Sequence, residues 1–294
     1  MKIAAYRYQG QAGVGRVSAD GLQLEPFQLS AEQAALGALP LVEALAAGRA
    51  LPPTAQAIPL QQVQLTAPIP RPRRNVFCVG KNYHAHAKEF AGSGFDSSAK
   101  PGADSPTVPI IFSKVPESVI AHGETILFPA GVSEAIDYEA ELTVVIGRPV
   151  RHATPEQADA AIAGYTVLND VSVRDFQMRT KQFLQGKTFE SSTPIGPWLV
   201  TPDELPAGGW EISTVLDGET VQHSNTDQLV FTVIDLICYL SQIVTLNPGD
   251  LIATGTPGGV GHARTPPRYL TDGAVLITAV AGIGELRNTC RRER

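Results

Sequence analysis

The chain has 294 residues, of which 43% are hydrophobic and 18% charged, and its formal net charge is -6. That size and balance fit one large domain with a smaller appendage, or two domains, with ample apolar material to bury. The acidic charge argues against a nucleic-acid or anionic-membrane partner, since both require a basic footprint.

The opening MKIAAYRYQG lacks the apolar core of a signal peptide. No apolar run approaches the roughly 18 residues of a membrane span, so a cytoplasmic protein is expected. IAAYRY and VGRVSADGLQLEPF predict short strands, with Ala-Asp-Gly as a hairpin turn. Residues 30–48 predict a helix capped by Ser30 and split in two by Pro40. Proline-punctuated sequence near 65–74 predicts a boundary between a small N-terminal α+β domain, residues 1–68, and a β-rich unit, residues 69–294. NVFCVG predicts a buried strand. Residues 91–109, rich in Gly, Ser, Pro and Ala, predict a long exposed loop of the kind that forms lids or binding loops. TPEQADAAIAGY predicts a helix with Thr154 as N-cap, and VFTVIDLICYLSQIVTL a helix over about 232–244. The three cysteines, Cys78, Cys238 and Cys290, form no disulfide pattern and are expected to be inert thiols.

One stretch invites chemistry. In IDYEAELTVVIG, Glu139 and Glu141 are two apart on a β-prone segment. They should share a face, with Asp137 and Ala140 assigned to the other. At about 6 Å, two carboxylates repel by roughly 0.7 kcal/mol in water and about 3 kcal/mol at an effective dielectric near 20. On an exposed strand the pair is harmless; lining a cavity, it calls for a hard divalent cation with oxygen ligands. Asp170, at the end of YTVLND, supplies a third carboxylate at a strand end, which matches a Mg²⁺ or Mn²⁺ site. In GKNYHAHAKEF, a helix from Tyr83 would put His86 and Glu89 on one face, an oriented general base. Lys187, beside Gly186, is a candidate electrophilic or anion-binding group. GDLIATGTPGGVG lacks the P-loop Lys-Ser/Thr pair, but its backbone N–H groups and Thr256 suit a small carboxylate. No G-x-S-x-G elbow supports a serine hydrolase.

Taken together, GKNYHAHAKE, DYEAELTVVIG, NDVSVRDFQ, GKTFESSTPIGP and GDLIATGTPGGVG, in this order, resemble the fumarylacetoacetate hydrolase family. The resemblance runs from about residue 66 to 290 and includes PPRYL and GIGELRN. It implies a compact roll of mixed β-strands with few helices, and a homodimer. It implies Glu139, Glu141 and Asp170 as ligands for Mg²⁺ or Mn²⁺, with Ca²⁺ a further option. It also implies His86 and Glu89 as the catalytic dyad, Lys187 as the active-site lysine, and Arg174, Gln177 and Thr256 as substrate contacts. His84 competes with His86 as base, and Glu190 stands where the family commonly has Asp. The implied activity is metal-dependent hydrolysis of a C–C bond in a 2,4-diketo acid, giving a 2-oxo acid and a carboxylic acid. His86 would deprotonate the attacking water and Lys187 would stabilise the developing oxyanion. The alternatives are decarboxylation of an oxaloacetate-type acid, isomerisation of a 2-hydroxydiene or 2-oxo acid, and a small-acid binding protein without turnover.

Overall fold

A computed structural model describes residues 1–92 and 105–293. Most of the expected 91–109 loop therefore lies outside the described residues. The chain is β-rich. A 12-stranded sheet and a five-stranded sheet carry most of it, and a two-stranded ribbon joins Ile136–Asp137 to Ser172–Val173. Both larger sheets mix parallel and antiparallel pairs: Leu251–Ala253 runs parallel to Val76–Gly80, and Gly284–Arg292 parallel to Thr125–Phe128. The N-terminal strand Lys2–Tyr8 pairs with Thr193–Val200, so the first strands extend the same 12-stranded sheet. Among the described residues, no helix is long and apolar enough to cross a membrane.

The strand Ala140–Ile146 lies between Ile162–Asn169 and Leu251–Ala253, antiparallel to both. All seven of its residues are buried, with neighbours on both edges and core on both faces. That explains why LTVVIG reads as a continuous apolar run rather than an alternating one. Ala140, Leu142, Val144 and Ile146 point into one core cluster, and Val145 points into another on the opposite face. The first cluster is roofed by the helix Val233–Ile243 through Leu236, Ile237 and Leu240. Each of these side chains contributes roughly 1.5–3 kcal/mol on full burial. Thr232 starts this helix with a reciprocal bond to Asp235, and Val244 ends it in an extended conformation.

Two other helices form where their caps predict. Thr154 caps Pro155–Ala160, and Ser30 caps Ala31–Ala35. The break between Ala31–Ala35 and Leu39–Ala46 falls at Gly37, not at Pro40. Gly37 has φ +64°, and a Cβ there would lie 2.3 Å from the Pro68 carbonyl oxygen, so only glycine fits. Pro40 sits in the first turn of the second helix, where a missing N–H leaves no bond unmade.

Candidate active site and metal centre

The ladder between Ala140–Ile146 and Ile162–Asn169 ends with Ala140 opposite Asn169. Just past that end, the Glu139 N–H donates to Asn169 Oδ1 at 3.0 Å, and the Asp170 N–H donates to the Glu139 carbonyl at 2.8 Å. These two bonds clamp the crossing chains together. Carboxylate oxygens of Glu139, Glu141 and Asp170 consequently lie within 4.8 Å of one another, all three residues buried. Glu139 stands in the gap between two short strands, whereas Glu141 lies inside its strand. The Glu141 Oε2 accepts the Gly255 N–H at 2.8 Å.

Cations surround the triad. Lys187 Nζ donates to Glu139 Oε2 and, at 2.7 Å, to Asp170 Oδ2. Lys187 ends the short helix Leu184–Lys187, which packs against Arg174–Gln177. A Cβ on Gly186 would lie 2.4 Å from the Gln177 nitrogen, so glycine permits that approach. Arg174 Nη2 donates to Glu139 Oε1 at 2.7 Å, Nε to Asp137 Oδ2 at 2.8 Å, and Nη1 to Gln177 Oε1 at 2.9 Å. Lys114 Nζ, fully buried, lies 2.9 Å from Asp170 Oδ1. Asp137, assigned from the sequence to the opposite face, instead joins this network. It has the same parity as Glu139 and Glu141, so the period of two places it with them.

The titration behaviour follows from this arrangement. Burial pushes the Glu139 carboxyl up, but Arg174, Lys187 and His86 together hold it well below the usual carboxylate range. Burial, then Asp170 and Glu139, push Glu141 well up, and the Gly255 N–H and Lys187 do not offset them. Burial favours a neutral Lys187, but Asp170 and Glu139 outweigh it and raise its pKa. Four carboxylates (Asp137, Glu139, Glu141 and Asp170) thus meet three cations (Lys114, Arg174 and Lys187). Glu141 is the carboxyl that would lack a matching cation if ionised, and its raised pKa reflects this. A buried set of three hard oxygen donors with unmatched charge fits a divalent cation of the Mg²⁺ or Mn²⁺ type. Adding two positive charges turns the centre's net charge from negative to positive, as an anionic substrate requires.

A cavity of about 320 Å³ opens onto this centre. His86, Glu139, Glu141, Arg174, Gln177, Lys187 and Thr256 line it, and Phe112, Met178 and Phe183 supply apolar wall. His86 is buried on the helix His84–Gly92, with Nδ1 3.5 Å from Glu89 Oε2. Glu89 Oε1 accepts the Gly259 N–H at 2.9 Å, which ties the dyad to the Gly-rich turn. His84 is exposed, its Nδ1 3.4 Å from Ser105 Oγ. Glu89 and Asp170 stand behind the lining residues, so the fold gathers all nine sequence-predicted positions around one cavity. Three residues of the network were not anticipated: Asp137, Lys114 and Gln222. Gln222 Nε2 donates to Thr256 Oγ1 at 2.9 Å, while its Oε1 accepts from Thr214 Oγ1 and the Ala140 N–H. This orients the Thr256 hydroxyl. Lys114 did carry a signal: it shares strand parity with Ile110 and Phe112, an apolar face where a lysine needs buried partners.

The model of the fumarylacetoacetate (FAA) hydrolase C-terminal family matches residues 75–291. The oxaloacetate tautomerase YisK of Bacillus subtilis (strain 168) is 39% identical over 235 residues, covering 78% of this chain and 73% of that protein. The mitochondrial oxaloacetate tautomerase Fahd2a of Rattus norvegicus is 42% identical over 244 residues, covering 82% and 74%. The solved fumarylacetoacetate hydrolase of psychrophilic Exiguobacterium antarcticum superposes with a TM-score of 0.82 at 33% identity over the whole of both chains. A family match of that extent, on a β-rich fold that frames a buried acidic triad, makes this chain an enzyme of the fumarylacetoacetate hydrolase family.

Proposed function

We propose that the protein is a divalent-metal-dependent tautomerase that interconverts the enol and keto forms of a short 2-oxo acid of the oxaloacetate class. The observation that carries this reading is 39–42% identity to two oxaloacetate tautomerases across most of the chain. The cavity supports it, because enol–keto exchange needs only a held carboxylate, a polarised 2-oxo oxygen and one group that moves a proton. A cation held by Glu139, Glu141 and Asp170 would supply Lewis-acid charge that stabilises an enolate oxygen. Lys187, kept as ammonium by Asp170 and Glu139, adds positive charge beside that oxygen. Arg174 is engaged by Asp137, Glu139 and Gln177, so its role is to hold Glu139 and Gln177 in place. The Thr256 hydroxyl, fixed by Gln222, donates to the substrate carboxylate. His86, which lines the cavity beside the triad, delivers the proton to C3 and removes it in the reverse direction. Glu89 sets the ring's orientation. A homodimer in the cytoplasm belongs to this reading.

A second reading, hydrolysis of a 2,4-diketo acid, is favoured by the His86–Glu89 pair, which suits deprotonation of water. Fresh enol-oxaloacetate with Mg²⁺ or Mn²⁺ separates the possibilities. Accelerated loss of enol absorbance with oxaloacetate conserved by NMR supports tautomerisation. Pyruvate and CO₂ indicate decarboxylation. Acylpyruvate cleavage, with enol decay no faster than in metal-containing buffer, replaces the first reading by the second.

A further inference from the structure

The geometry points to Arg179, assisted by Lys181, as the specificity-determining residue of this cavity: it receives the distal carboxylate of a dicarboxylic 2-oxo acid. The assignment rests on reading the cavity as a 2-oxo acid site, and it names the chemical class of acid. The cavity has two cationic zones. The inner cations, Arg174 and Lys187, are spent on Asp137, Glu139 and Asp170. The outer ones, Arg179 and Lys181, lie on the exposed segment that follows the helix Arg174–Gln177, and both line the same cavity. Among the described residues, no carboxylate lies within ion-pair distance of either.

Arg179 is held in place without being consumed. Its guanidinium carbon lies 3.4 Å from the centroid of the Phe176 ring. Phe176 in turn packs edge-on against Phe189, with centroids 5.1 Å apart. Stacking uses the face of the guanidinium and leaves its N–H edge available, and a planar fork of donors matches a carboxylate bidentately. An exposed arginine without such support would lose rotamer freedom on binding; here the stack has already restricted it. Phe112, Met178 and Phe183 line the same cavity and give it an apolar surface that suits a short carbon stem. An acid bound by its 2-oxo carboxylate at the inner centre therefore meets a second anion site on the exposed side of the cavity lining. A monocarboxylic acid leaves that site empty.

L-malate and L-lactate test this directly, because malate is lactate with one added distal carboxylate and neither enolises. Their equilibrium binding to the Mg²⁺-loaded protein is measured by calorimetry for the wild type, Arg179→Gln and Lys181→Gln. The wild type is expected to prefer malate. Arg179→Gln should weaken malate about tenfold, the loss of one charge-assisted hydrogen-bonded pair, and shift lactate by less than about twofold. Lys181→Gln should weaken malate less than Arg179→Gln does. A wild type without malate preference, an unchanged malate affinity in Arg179→Gln, or an equal loss for both acids overturns the assignment. Turnover is not part of this readout. A wild type that tautomerises oxaloacetate but shows no malate preference refutes the distal site alone. One that prefers malate but fails to tautomerise refutes the activity alone.

Discussion

Replacing Lys114 by methionine removes a fully buried ammonium while keeping much of the side chain's length and apolar bulk. In the native protein that ammonium lies 2.9 Å from Asp170 Oδ1 and 3.2 Å from the Val171 carbonyl and Ser192 Oγ. It also donates to the Lys187 carbonyl. Removing one partner of a buried ion pair costs about 3–5 kcal/mol, because the remaining charge is left uncompensated. Asp170 retains Lys187, so the lower part of that range applies, about 3–4 kcal/mol. In a chain of this length each kcal/mol moves Tm by about 2 °C, which predicts a fall of roughly 6–8 °C. Thermal unfolding followed by circular dichroism, first in EDTA and then in saturating Mg²⁺, measures it. The variant's centre carries one more unit of net negative charge, so Mg²⁺ should raise its Tm more than that of the wild type. The lost donor to two carbonyls is not replaced by the metal, so recovery should be partial. An unchanged Tm in EDTA, or the same metal-induced rise in both proteins, would refute this account of the centre.

Glu139→Gln removes a proposed metal ligand and also a carboxylate partner of Arg174 and Lys187. Metal affinity is expected to fall by more than about a hundredfold, since even supporting residues around a metal are worth 10–100-fold. Calorimetry with Mn²⁺ reads this, and full activity of the variant in chelator would contradict the metal centre. His86→Ala should bind Mn²⁺ normally and lose turnover, while His84→Ala, altered at an exposed position, should keep both. The reverse outcome would transfer the base to His84. Burial and Asp217 push the Cys290 thiol up to about 12, and burial with Asp170 and Glu141 pushes Cys78 well above its ordinary value. Burial, Asp235 and Glu156 raise the Cys238 thiol too, but it is the one partly exposed thiol of the three, so a chromogenic thiol reagent near pH 8 should modify Cys238 alone in the native protein and all three cysteines after unfolding. Rapid modification of three native thiols would contradict this packing.

Local chemistry alone determined a good deal of this protein. Ser30, Thr154 and Thr232 start helices because a short side-chain oxygen satisfies an otherwise orphaned N–H, and that bond spans only three residues. Asp170 was legible as a strand-end acid and Lys187 through the family resemblance, whereas the pairs Glu139–Glu141 and His86–Glu89 were legible because strand and helix periods place near neighbours on one face. Asp137 was legible by the same rule and was assigned to the wrong face. The break at Gly37 was not local. It depends on how closely the Pro68 carbonyl approaches, and that follows from the packing of two segments some thirty residues apart.

The electrostatic state of the centre belongs wholly to the tertiary structure. Lys114, Gln222 and Asp170 come from three separate stretches, and no spacing rule links them. Whether Glu139 and Glu141 were a solvated edge or a buried pair depended on the strands added to either side of Ala140–Ile146. Long-range pairing supplied both burial and counter-charges at once. Burial raises the energy of an isolated carboxylate by several kcal/mol, so the partners that the fold brings in decide which of the two stays ionised. Arg174 and Lys187 settle this for Glu139, whereas at Glu141 Lys187 and the Gly255 N–H do not offset burial and the neighbouring carboxylates, so its ionisation calls for a further cation.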